Sequence, residues 1–151
     1  MRSRTVIRKK PDDAIKKLEA LAKKLDGPNA VKVGLPKDSN AYPDGTSVIA
    51  VGAAHEFGSD AQNIPQRSFL RQTMIENKKE YKRMMTRLMK KVAKGEMTKK
   101  EVLRLLGLKV QNDIIGKISD GISPELSTRE GTALIDTGHL RQSITFKVGD
   151  E

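Results

Sequence analysis

Histidine is the side chain best suited to move a proton or hold a metal near neutral pH, and this chain has two, His55 and His139. His55-Glu56-Phe57-Gly58-Ser59 lacks the second histidine that HExxH zinc chemistry places one helical turn later, so a zinc protease is excluded on this motif. His139 follows Asp136 closely enough for a carboxylate to orient an imidazole, but no GxSxG elbow or other activated nucleophile accompanies the pair. Asp44, Glu56, Asp60 and Asp136 would make a nuclease-type metal cluster only if the fold assembled them. Gly34, Gly45, Gly52 and Gly58 match neither a GxxxxGK[ST] phosphate loop nor a dinucleotide fingerprint. Cysteine is absent, which removes disulfides, CxxC redox chemistry and thiolate metal sites. These residues predict a protein that is not an enzyme and needs no cofactor or metal.

Charge is the stronger signal. The 151 residues carry 29 basic and 19 acidic side chains, a net charge of +10 that suits a polyanion or an acidic protein surface. Between Lys78 and Lys100 ten positive residues face two negative ones, Glu80 and Glu96. Lys78, Lys82, Arg83 and Lys90 are candidates to face DNA; a solvated helix face and a contact with an acidic neighbour are the alternatives. Two Tyr and three Phe give little material for stacking on single-stranded bases. Arg2, Arg4, Arg8, Lys9 and Lys10 put five positive charges and no negative one in the first ten residues, a composition that predicts a flexible basic arm over 1–10 that orders on a partner.

The elements that must position these groups follow from periodicity. With 36% hydrophobic residues and no apolar run of 18, the chain predicts no membrane span. Its N-terminus lacks the apolar stretch of a secretory signal, so a cytoplasmic site of synthesis is expected. Residues 11–151 are expected to form a single α+β domain with a core of Leu, Ile, Val, Met and Ala. Ile15, Leu18, Ala22 and Leu25 predict an N-terminal helix from Asp12 to about Leu25, stopped by Gly27-Pro28. Residues 30–35 alternate as a strand, and Lys37 to Gly45 should be an exposed loop. Thr46 is expected to cap a short helix ending at Phe57. A long helix over about 66–93 should carry an apolar stripe of Leu70, Met74, Tyr81, Met85, Leu88 and Val92. Thr98 and Glu101 have capping-box spacing and open a helix over about 98–118, whose seam is Leu103, Leu106, Val110, Ile114 and Ile118. The two helices should pack as a hairpin. After a loop over Glu125 to Thr132, a single turn at His139 to Gln142 should lead into a final strand over 143–148, making a small antiparallel sheet with 30–35.

Three blocks then stand out in order: Ala54-His55-Glu56-Phe57-Gly58, Ile64-Pro65-Gln66-Arg67-Ser68-Phe69-Leu70-Arg71, and Leu134-Ile135-Asp136-Thr137-Gly138-His139-Leu140-Arg141-Gln142-Ser143-Ile144. Together they resemble the tail-completion or neck proteins of long-tailed bacteriophages, over roughly residues 30 to 149. The family often has Ala-Arg-Pro-Phe where this chain has Gln66-Arg67-Ser68-Phe69, so its second proline is missing here. The resemblance implies an α+β, non-enzymatic virion protein at the head-tail junction, assembled in the host cytoplasm. It implies a ring, usually of six copies, with DNA passing through its lumen. The implied partners are sister copies, head connector or adaptor proteins, and a tail terminator or tail tube protein.

On the residues themselves, Arg67 and Arg71 are expected four apart on one helical face, Asp136 or Thr137 to cap the short turn, and Arg141 to reach a carboxylate of this or a neighbouring subunit. With the basic arm, Arg67, Arg71, Asp136 and Arg141 are the candidate interface residues. The rival function is a basic accessory protein that binds DNA without regard to sequence.

Overall fold

The computed structural model describes residues 11–124 and 138–149. It is an α+β structure of five α-helices and a two-stranded antiparallel sheet within that range. Helix α1 spans Pro11–Lys24, with Asp12 and Asp13 in its first turn and Lys23 and Lys24 in its last, each charge opposing the nearer end of the helix dipole. Strand β1, Ala30–Gly34, follows Gly27, whose φ of +103° lets the chain reverse direction.

Helix α2, Val48–Phe57, is capped by Ser47 rather than Thr46. The Thr46 amide is already engaged, donating to Asp44 Oδ1 at 2.9 Å, and this bond holds the Asp44 carboxyl below its ordinary range.

Helices α3, Phe69–Lys94, and α4, Lys99–Asp120, form the expected hairpin. Gly95 ends α3 in the left-handed region at φ +82°, with its amide bonded back to Val92 and the Glu96 amide to Lys91. Three residues on, Thr98 opens a capping box with Glu101, the carboxylate accepting from the Thr98 amide at 2.8 Å. That pair of signals sets a short turn and so an antiparallel return.

Helix α5, His139–Gln142, leads into strand β2, Thr145–Gly149. The strand starts two residues later than its alternation suggests, because Ser143 closes α5 and donates its hydroxyl to the His139 carbonyl at 2.9 Å. Ala30 pairs with Gly149 and Gly34 with Thr145, so the strands run antiparallel in full register.

Packing follows the predicted seams with three corrections. In α4, Leu103, Val110, Ile114 and Ile118 are buried, and in α3 so are Tyr81, Leu88 and Val92. Met74, expected in the stripe, is 48% exposed, and Phe69 with Thr73 takes the buried face of the first turns. The core is not purely aliphatic, since Phe69 and Tyr81 join Val48, Ile114, Leu140 and Ile144 in its main cluster. Most telling is α1: Ile15 and Leu18 are 53% and 66% exposed, so the apolar face that marks this helix is unburied. What fixes α1 is its C-terminal end, where Lys24 Nζ donates to the Ala93 carbonyl at 3.0 Å and Lys99 Nζ to the Leu25 carbonyl at 3.0 Å.

The sheet lies against α4 at one small residue. A methyl group built on Gly107 would sit 2.5 Å from the Phe146 ring and 2.8 Å from a Val31 methyl, whereas one on Gly116 of the same helix meets nothing within 4 Å. Gly107→Ala is therefore expected to destabilise the fold by about 1–3 kcal/mol through overpacking. Gly116→Ala should be neutral or gain up to about 1 kcal/mol from helix propensity. Urea midpoints of the two variants check this, and equal midpoints would contradict the close packing.

Candidate functional site

The first two sequence blocks meet in one structure, a joint built around Glu56. This residue lies in the last turn of α2 and is 6% exposed. Gly58, at φ +80°, turns the chain out of the helix, and a single 3-10 turn over Asp60–Gln62 carries it round to Ile64. Ser59 and Ile64 close that loop with two backbone bonds of 2.9 Å. Residues 65 to 68 then run back beside α2 in a non-helical path, the Arg67 amide donating to the His55 carbonyl at 2.7 Å. Gln66 Nε2 and Arg71 Nη2 donate to the Glu56 carbonyl at 3.1 and 3.3 Å, which satisfies the end of α2.

The Glu56 carboxylate faces the start of α3. Oε2 accepts from the Leu70 amide at 2.9 Å, and Oε1 from the Arg71 amide at 3.1 Å and the Ser68 hydroxyl at 2.6 Å. Arg71 Nε stands 3.6 Å from Oε1, and its guanidinium lies 5.5 Å from the centre of the exposed Phe57 ring. A carboxylate from another helix thus does what an N-cap side chain does locally; Ser68 itself makes no side-chain cap bond. With its acceptor positions taken by amides, a hydroxyl and a guanidinium, Glu56 is committed to holding two helices together.

The same joint corrects the expected pairing of Arg67 and Arg71. Only Arg71 belongs to α3, which begins three residues later than its sequence pattern suggests. Arg67 is 4% exposed, and its Nε donates to the Pro124 carbonyl at 2.6 Å, tying the start of α3 to the segment after α4. Among the described residues Arg141 meets a hydroxyl, Nη1 donating to Ser119 Oγ at 3.0 Å. His139 Nε2 lies 2.9 Å from the Asn40 carbonyl, which only accepts, so this nitrogen carries the proton. Its ring packs against Tyr42 at 4.8 Å. Asp136, Thr137, Arg2, Arg4, Arg8, Lys9, Lys10 and the Glu125 to Thr132 segment lie outside the described residues. Among the described residues, no three of the His, Asp and Glu side chains converge as a metal site, and Asp44, Glu56 and Asp60 serve separate local bonds or turns.

Beyond the joint, α3 separates its charges. Glu76 pairs with Lys117 of α4 at 2.9 Å, and Glu80 with Lys109 of α4 at 3.3 Å. The Lys117 ammonium holds the Glu76 carboxyl below its ordinary range. Asp113, 2.7 Å away, is the main influence raising the Lys109 ammonium, with Glu80 adding to it. Asp113 also accepts from the Tyr81 hydroxyl at 2.9 Å. The acids of α3 are therefore spent on α4. Lys78, Lys82, Arg83 and Lys90, the predicted DNA-facing set, are exposed and form no ion pair among the described residues. Lys79, Lys82, Arg83, Thr86, Arg87 and Lys90 line one shallow hollow along the helix, which adds Lys79 and Arg87 to that set and leaves Lys78 on its flank.

No family model, curated protein or solved structure matches this chain. The arrangement itself defines a scaffold: a buried ionic joint that orients a long helix with one apolar and one cationic side.

Glu56→Ala leaves the part-buried amides of Leu70 and Arg71 without this acceptor and is expected to cost about 1–3 kcal/mol. Glu56→Gln, which keeps an accepting oxygen, should cost less; chemical denaturation followed by circular dichroism orders the two. For Tyr81, burial first and the Asp113 carboxylate second raise the phenol above the ordinary tyrosine range. A group raised in the folded state stabilises the fold below its unfolded value, near 10, and that contribution is lost as pH climbs through the folded value. Stability should consequently fall in strong alkali, and Tyr81→Phe should flatten that fall in denaturation midpoints measured against pH.

Proposed function

We propose that this protein is a structural subunit of a long-tailed bacteriophage particle, a neck or tail-completion protein that joins the head connector to the tail. The observation that carries the reading is where the resembling blocks lie. His55 to Gly58 and Ile64 to Arg71 are two halves of the Glu56 joint, and Leu140 and Ile144 of the third block share a core cluster with Phe69. Segments far apart in the chain thus make one body, which suits an architectural role for these blocks better than turnover.

The assembly surfaces follow from what that body leaves uncovered. Ile15 and Leu18 of α1 present an apolar stripe to solvent, and Phe57 is 69% exposed beside the joint. Sister copies would meet through such surfaces, in a ring of six, with the heterologous contacts that closed rings require. The basic residues of the first ten, Arg2, Arg4, Arg8, Lys9 and Lys10, would meet a neighbour in this assembly. The partners in this reading are head connector or adaptor proteins on one side and a tail terminator or tail tube protein on the other, with DNA passing through the lumen. The site of action is the head-tail junction of the virion, after assembly in the host cytoplasm.

Electron microscopy of particles carrying a labelled copy tests the reading directly: a band at the head-tail junction is expected, and mature particles without the protein would overturn it. Leu18→Asp, on the exposed face of α1, should change stability by no more than about 0.5 kcal/mol. It should nevertheless reduce self-association in sedimentation and incorporation into particles. Unchanged association would remove α1 from the interface.

A further inference from the structure

The pairing of α3 acids with α4 lysines leaves a one-sign surface, and that surface has a definite shape. Lys79, Arg83, Arg87 and Lys90 follow one another at four-, four- and three-residue steps, with Lys82 beside Arg83, so all five stand on one side of the helix and extend over about 16 Å along it. Buried Tyr81, Leu88 and Val92 hold the opposite side. The helix beneath is an unbroken α-helix of 26 residues, anchored at its start by Glu56 and at its end by the Gly95 cap. We propose that this face binds the phosphate backbone of duplex DNA, without reading sequence.

Three observations select that partner. First, the row contains no apolar side chain; its one neutral member, Thr86, donates its hydroxyl to the Lys82 carbonyl. Protein interfaces have apolar centres depleted of charge, so an acidic protein fits this row poorly. Second, every aromatic ring in the chain is placed elsewhere. Phe69 and Tyr81 are in the core, Tyr42 is against His139, Phe57 lies under Arg71, and Phe146 packs at Gly107. Single strands are held by stacking bases on such rings, which this face does not offer. Third, duplex DNA carries about one negative charge per 1.7 Å of its axis, a density that five cations in one file, forming no ion pair among the described residues, can meet and partly neutralise. Arg83 and Arg87 add bidentate donors to phosphate oxygens, and the lysines add point charges. The inference goes beyond the neck reading and holds equally for a ring subunit and for a free accessory protein.

The test is anisotropy of a fluorescent random-sequence duplex of about 30 base pairs with the full chain, titrated over about 50–200 mM salt. Five phosphate contacts predict a slope of about −4.5 in log affinity against log salt, hence a loss of about 500-fold across that range. Replacing Lys79, Lys82, Arg83, Arg87 and Lys90 together by Gln should abolish most of that slope. Removing the same charge from Lys16, Lys17, Lys23, Lys100 and Arg104, exposed on α1 and α4, should leave most of it. Equal weakening by both sets would overturn the proposal, since binding would then follow net charge alone. Tighter binding of oligo-dT than of duplex, or binding of poly-glutamate in place of DNA, would overturn it as well. On the unaltered chain, duplex should protect Lys79, Lys82 and Lys90 from acylation more than Lys16 and Lys17, and the reverse order would refute the face. A chain that passes these assays yet never enters particles would sink the neck reading and leave this one standing.

Discussion

A buried carboxylate is costly unless every charge and lone pair meets a partner, and Glu56 meets this demand by closing the gap between two helices. Its oxygens take the amides that the first turn of α3 would otherwise leave unbonded, while its own carbonyl and that of His55 take donors from the following segment. The consequence is geometric. The start of α3 is tied to the end of α2, and Arg67 ties the same point to Pro124. Hydrophobic burial supplies the bulk of the driving force but not direction. The ionic joint supplies direction.

From that fixed start, α3 can serve two sides at once. Its apolar stripe packs on α4, which in turn receives the sheet at Gly107. Its acids reach across to Lys109 and Lys117, each held by a second-helix partner, and so leave the outward cations uncompensated. Opposite charges three or four residues apart on α3 would ordinarily neutralise one another along the helix. Interhelical pairing wins here because Lys109 and Lys117 are only 33% and 25% exposed and their partners lie within 3.3 Å. The cationic face is therefore a product of the hairpin, and the assembly and DNA-binding proposals both draw on surfaces that the core leaves outside.

Local signals proved legible where a short stretch of chain decides its own structure. The Thr98 and Glu101 capping box, the stop at Gly95, the apolar seam of α4 and the two alternating strands all depend on residues within a turn or two of one another. Where the partner is distant, the pattern misleads. Arg67 and Arg71 have helical spacing, yet Arg67 lies outside the helix, because the segment before Phe69 is drawn against α2 by the His55 carbonyl. Met74 has the right period for the stripe yet is half exposed, and Ser143 alternates like a strand residue while closing a helical turn. Glu56 entered the sequence reading as a possible metal ligand and as part of a resembling block, not as a joint between helices, since the donors to its carboxylate lie twelve to fifteen residues away and leave no periodic trace.

What the amino-acid order determined alone was the set of elements, their caps, the hairpin between the long helices and the excess of positive charge, because each rests on neighbours within one or two helical turns. Tertiary structure decided which of those charges remain unpaired, that the apolar face of α1 stays in solvent, that Gly107 rather than Gly116 bears the sheet, and that a glutamate on one helix caps another. Those outcomes depend on distances between residues far apart in the chain, which exist only once the packing has brought them together.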